Sequence, residues 1–173
     1  MTRLFLAAWL FLIAAFMAGC ASTQGEHGLF RETRIREIHL LTMPMALNLD
    51  QIPGADGFAV KIYAIDKDRP KSVSITGGSL EILIYDGVLT LPSLATNTPV
   101  STWRFTSSEL SGFAQTTSVG VVYALTPTWG DRKPRRDKIT VIACYAPQDQ
   151  GAAEHRVCSL PTTVTVSLPA SFE

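Results

Sequence analysis

Three cysteines, Cys20, Cys144 and Cys158, are the residues of this 173-residue chain whose placement speaks most directly of chemistry. Cys20 stops an apolar run in FMAGCAST, just before the chain turns polar. Cys144 lies in ITVIACYA and Cys158 in HRVCSLP. If Cys20 is committed elsewhere, the other two form an even set that can pair. Closing so short a loop stabilises a fold by about 3 kcal/mol on the chain-entropy account. The other reading is two reduced thiols, one buried and one at a loop edge. Zinc is a poor match, because Cys144 has no second Cys or His two to four residues away and Cys158 has only His155.

The remaining reactive residue types are dispersed. His27, His39 and His155 have no metal-helix spacing, and the chain contains neither a G-x-S-x-G elbow nor a glycine-rich phosphate loop. A triad assembled from distant residues stays open in principle, but without a local signature the chain is read as non-enzymatic. Asp50, Asp56, Asp66 and Asp68 raise the idea of a calcium cluster, which needs six to eight oxygens. Lys67 and Arg69 stand among these acids, however, and Asp-Gly after Pro-Gly is ordinary turn chemistry. No metal and no cofactor is therefore expected.

Two stretches are candidates for contact. Trp103, Trp129, Tyr85 and Phe105 could stack a sugar ring, but Trp103 and Phe105 alternate in one strand and so face a core together. Trp129, before Gly130-Asp131 at a turn, is the expected surface aromatic. The run DRKPRRDK places Arg132, Lys133, Arg135 and Arg136 in one short loop before the strand ITVIACYA. Such a loop can touch anionic headgroups at about 1 kcal/mol per suitably placed cation. The alternative is a solvated hairpin loop that aids solubility.

The elements that must position these residues fall into two parts. Residues 1–19 carry one cation, Arg3, an apolar stretch from Leu4 to Met17, and the small Ala18 and Gly19, which is the layout of a signal peptide. A permanent span usually needs about 20 apolar residues, more than this stretch supplies. Residues 20–34, starting CASTQGEHGLFRET, are polar and aperiodic and read as a flexible tether, with a reach of roughly 20 Å.

From residue 35 to 173 the chain breaks into short β-rich runs: IREIHLLTMPMALNL, GFAVKIYAI, KSVSIT, SLEILIYD, VSTWRF, SVGVVYAL, KITVIACYA and TTVTVSL. Alternation is clearest at Phe58, Val60, Ile62 and Ala64, at Leu80, Ile82 and Ile84, and at Ile139, Val141, Ala143 and Tyr145. The expectation is an all-β fold, an antiparallel β-sandwich of immunoglobulin-like or transthyretin-like type, with seven to eight strands and one short helical turn at Ser107-Ser108-Glu109-Leu110 capped by serine. Pro44 and Pro70 belong at edges or turns, and the first strand should bend at Met43-Pro44.

Met17-Ala18-Gly19-Cys20 resembles the bacterial lipobox, whose usual form is Leu-Ala/Ser-Gly/Ala-Cys, with Met17 in place of the commonest Leu. The resemblance implies a diacylglyceryl group on the Cys20 thiol, cleavage just before it, and fatty acylation of the new amine, palmitate being the usual label. Two or more chains give stable attachment where one binds only marginally. The other reading is a secretory peptide with an incidental cysteine. Ala21-Ser22 lacks the Asp that retains lipoproteins at the inner membrane, so the outer membrane, facing the periplasm, is expected, with the outer face of a plasma membrane as the alternative.

A lipobox, a tether and a body beginning ALNLD and continuing FAVKIYAID are also similar to the outer-membrane lipoprotein of type VI secretion systems. Val60-Lys61-Ile62-Tyr63 matches that family's R-I-Y-type strand in kind. The similarity stops before SLEILIYDG and STWRFTSSEL. It implies a transthyretin-like sandwich that docks an envelope protein partner.

Composition narrows the field. The 15 basic and 15 acidic residues become 14 and 15 once Arg3 is cut away with residues 1–19, a charge near −1 that does not recruit nucleic acid. The reading is a membrane-anchored envelope lipoprotein that acts as a binding or assembly module. A small envelope hydrolase or carbohydrate-binding module using Trp129 is the alternative.

Overall fold

The computed structural model describes residues 34–50, 52–148 and 155–166. The expected signal peptide, Cys20, His27 and the expected tether up to residue 33 lie outside the described residues. Nine strands build the fold: β1 (Glu37–Thr42), β2 (Val60–Ile65), β3 (Ser79–Asp86), β4 (Ser101–Thr106), β5 (Ala114–Thr117), β6 (Gly120–Leu125), β7 (Lys138–Ala146), β8 (Val157–Cys158) and β9 (Thr162–Thr165). Among the described residues two short helices, α1 (Leu91–Leu94) and α2 (Ser107–Ser111), flank β4.

The strands form an antiparallel sandwich of two sheets. The first has the order β1-β2-β6-β5. In the second, β4, β3 and β7 follow one another, and β8 and β9 divide the far edge of β7 between them. Period-two alternation places Ile38 and Leu40 of β1, Val60, Ile62 and Ala64 of β2, and Tyr123 and Leu125 of β6 in the intervening layer. Leu80, Ile82 and Ile84 of β3 and Ile139, Val141 and Ala143 of β7 meet them from the other sheet. One continuous apolar layer thus joins the sheets, and burying it is the main favourable term in folding.

β3 and β7 are buried on both faces, which is why their sequences read as near-continuous apolar runs. On the outer face, Leu83, Tyr85, Ile142 and Cys144 form a second, smaller cluster. Leu89 and Leu94, from the connection that carries α1, cover it.

Several expectations are refined. β1 ends at Thr42, and Pro44 turns the chain from one sheet to the other: its carbonyl accepts the Thr165 N–H, and the Ala46 N–H donates back to Thr165. KSVSIT is not a strand, because Ser72 and Val73 make only single bridges, to Gly120 and Ala64. β5 and β8, at four and two residues, are too short for a periodic signal and were not expected. The cap of α2 is Thr106 rather than a serine: its hydroxyl accepts the Glu109 N–H, and the Glu109 carboxylate accepts the Thr106 N–H at 2.7 Å. That backbone N–H and the Thr106 hydroxyl, which donates to the same carboxylate at 2.8 Å, hold the Glu109 carboxyl below its ordinary range.

Trp129 is also corrected. It is not a surface aromatic but 4% exposed, stacked on Phe58 at 5.7 Å, with its indole N–H donating to Ala55 at 3.0 Å. The inward parity of β6 simply runs on past the strand, through Tyr123, Leu125, Pro127 and Trp129, all buried. Trp103 meets the same Phe58 ring edge-on at 5.7 Å. Gly57, beside this stack, has no room for a side chain, because a Cβ there would come within 2.7 Å of both Leu49 Cδ1 and the Pro127 carbonyl.

Trp129→Ala should therefore lower unfolding free energy by about 3–5 kcal/mol in urea denaturation. A surface contact residue would change it by no more than about 0.5 kcal/mol.

Candidate functional site

Two groups of polar side chains stand out, one on the outer face of the second sheet and one across an end of the sandwich. On the sheet, strand register places Glu81 of β3 between Arg104 of β4 and Cys144 of β7, and Cys144 directly opposite Cys158 of β8. Cys144 and Cys158 form a disulfide, with their Cα atoms 4.0 Å apart. The bond ties the two-residue β8 to the centre of the sheet.

Arg156, two residues before Cys158, reaches back to Glu81. The Glu81 carboxylate thus accepts from Arg104 through one oxygen and from Arg156 through the other. Its side chain is 9% exposed, whereas Arg104 is 69% exposed. The arrangement is a clasp that runs from β4 through β3 and over β7 to the residue before β8, and it satisfies a carboxylate on a covered face. Burial pushes the neighbouring Tyr85 hydroxyl above its ordinary value, and the Arg156 charge pulls the other way. Sequence reasoning missed this group. Its local trace is the lone acid within the apolar run SLEILIYD, and its two partners are brought to it only by strand pairing.

The second group is the basic loop. It is not a hairpin, because β6 and β7 belong to different sheets and residues 126–137 cross between them over the end of the sandwich. Arg132, Lys133, Arg135 and Arg136 are all exposed. The Arg132 N–H donates to the Trp129 carbonyl at 3.0 Å, and the Arg135 N–H donates to Asp86 Oδ1 at 2.9 Å. Arg136 lies so close to Gly87 that a Cβ there would meet its Nη1 at 2.7 Å. The backbone of the loop is therefore held at both flanks while its four cationic residues stay exposed.

The acids once grouped as a calcium idea act as loop and turn braces. Asp50 Oδ1 accepts the Ile52 N–H, Asp56 Oδ1 accepts the Leu49 N–H, and Asp66 Oδ1 accepts the Asp68 N–H. Among the described residues no three His, Cys, Asp or Glu side chains are placed to hold a metal ion. His39 sits 3.3 Å from Glu37, and Lys67 approaches the same carboxylate at 3.0 Å. His155 is exposed beside the Arg156 clasp.

Fold and site together define an all-β antiparallel sandwich with a disulfide-stapled edge and a cationic loop across one end. Comparison with known proteins finds no family model, no curated protein and no solved structure that matches the chain.

Two results are expected from the clasp and the staple. Replacing both Arg104 and Arg156 by Met strands the Glu81 carboxylate and should cost about 3 kcal/mol, and adding Glu81→Leu should recover much of that loss. A triple variant no more stable than the double would show that the stranded charge is not the cause; urea midpoints decide. Separately, Cys144→Ser with Cys158→Ser should lower stability by about 3 kcal/mol, matched by the parent protein under reductant.

Proposed function

We propose that the chain is a lipid-anchored protein of the bacterial cell envelope that acts as a non-enzymatic binding or assembly module. The observation that carries this reading is the order of residues at the N-terminus: Arg3, the apolar run from Leu4 to Met17, and Met17-Ala18-Gly19-Cys20. Acylation at Cys20 holds the protein to its membrane by more than one chain. Ala21-Ser22, without a retaining Asp, supports the outer membrane facing the periplasm. A disulfide between Cys144 and Cys158 suits an oxidising compartment outside the cytoplasm.

Support for the binding role comes from the open edge of the first sheet. All four residues of β5 are exposed, and among the described residues no strand pairs beyond it in the sheet order. A partner strand can add to such an edge through main-chain hydrogen bonds, with specificity from alternate side chains. The reading as a hydrolase or carbohydrate-binding module loses its intended aromatic contact, since Trp129 is built into the core.

Cys20→Ser, expressed in a bacterium with palmitate labelling, should leave the protein unprocessed and unlabelled, while the parent protein is shortened and labelled. Equal labelling of the two would overturn the anchor. Crosslinking of the acylated protein in cells should then recover an envelope protein.

A further inference from the structure

The cationic loop does not stand alone at its end of the sandwich. The loop of residues 47–57 lies against it on one side, where Trp129 donates its backbone N–H to Asp56 and Arg132 donates to Trp129. This neighbouring loop exposes Leu49 and Ile52, the latter to 65%. On the other side the turn after β3 is joined through Asp86 to Arg135, and it exposes Val88 to 61% and Leu91 to 53%. Cations therefore cross the end of the fold between two apolar tips, one from each sheet.

We propose that this end of the sandwich docks on an anionic lipid surface. Protein interfaces concentrate apolar side chains centrally and place charges at the rim. Here the order is reversed, with charges central and single aliphatic side chains on separate outer loops. A bilayer accepts that order, because guanidinium and ammonium groups meet phosphates while aliphatic tips enter the boundary with the acyl chains.

Charge placement favours the same occupant, because Arg132, Lys133, Arg135 and Arg136 are exposed while Asp56 and Asp86 are half-buried. Asp50, Asp56 and Asp86 turn their carboxylates onto backbone N–H groups of these loops. These three keep their negative charge beside the crossing loop, within which Asp131 and Asp137 stand against Arg132, Lys133, Arg135, Arg136 and the neighbouring Lys138, so the excess of cations is confined to that loop. With the whole chain near neutral, the cations are a local feature rather than a general one.

The inference rests on the envelope location proposed above, but its chemistry does not require Cys20 to be acylated. The 13 residues 21–33 extend to about 45 Å, more than twice the roughly 20 Å length of β1, so an anchored chain could bring this end to its own bilayer.

The test uses the unacylated chain from Ala21 to Glu173, which keeps every core residue of both sheets. It is sedimented with vesicles of phosphatidylcholine alone or of phosphatidylcholine and phosphatidylglycerol in equal parts. Binding is expected only to the anionic vesicles and should fall as salt rises. The variant with Arg132, Lys133, Arg135 and Arg136 all changed to Gln should lose affinity by about five-fold per cation, with an unchanged thermal midpoint. Ile52→Ser with Val88→Ser should weaken binding and leave its salt dependence intact. Equal sedimentation with both vesicle types, or binding unaffected by the four Gln substitutions, would overturn the proposal, as would capture of an acidic protein without any vesicle binding. Because this chain carries no lipid, a failed Cys20 labelling experiment and a failed vesicle experiment are separate results.

Discussion

The pairing of β3 with β7 is the interaction on which the rest of the molecule depends. It runs from Ser79–Ala146 to Asp86–Ile139 without a break, and both strands are covered on both faces. The inner face supplies half of the layer between the sheets. The outer face must also be covered, because Leu83, Tyr85 and Ile142 would otherwise lie in water. That need explains the connection through α1, whose Leu89 and Leu94 close over them, and it explains why a carboxylate at Glu81 has to bring two arginines with it.

The far edge of β7 is held by pieces rather than by a single strand. β9 pairs residues 138–141 and β8 pairs residues 144–145, with Ser159 filling the interval: its N–H donates to the Ala143 carbonyl and its hydroxyl accepts the Ala143 N–H. A two-residue strand has little ladder energy of its own. The disulfide and the Arg156–Glu81 contact reach β8 from the same face, one by a covalent bond and the other by charge. The first restricts the unfolded chain, while the second mainly avoids the cost of a stranded charge. They are thus different in kind, and loss of either leaves the other standing.

Much of the fold was legible because strands facing one core declare themselves by parity. The sets at Phe58–Ala64, Leu80–Ile84 and Ile139–Ala143 are all buried, and only Tyr145 at the end of its strand is half open. The disulfide was legible as a possible pairing, since cysteine count constrains it, although register alone decides it. At Trp129 the turn residues Gly130 and Asp131 mask an inward series that continues through Pro127. The Glu81 clasp was hidden for a different reason: Arg104 and Arg156 are 23 and 75 residues away, and only the lateral order β4-β3-β7-β8 makes them neighbours. Short edges such as β5 offer too few positions for any period to emerge.

The crossing loop shows how the same sequence feature changes meaning with topology. As a hairpin, DRKPRRDK would project from one sheet and keep its charges well clear of other loops. As a link between sheets it is pinned to Trp129 on one side and to Asp86 on the other, so its cations lie among loops contributed by both halves of the fold. Trp129 then has a role at this end without touching a ligand: by sealing Phe58 beneath the turn, it fixes where Arg132 begins. Exposed aliphatic side chains such as Ile52 and Val88 carry a cost in water that their own loops do nothing to offset. In the proposed docking their position beside the exposed cations gives that cost a physical use, since a charged lipid interface accommodates both kinds of group at different depths.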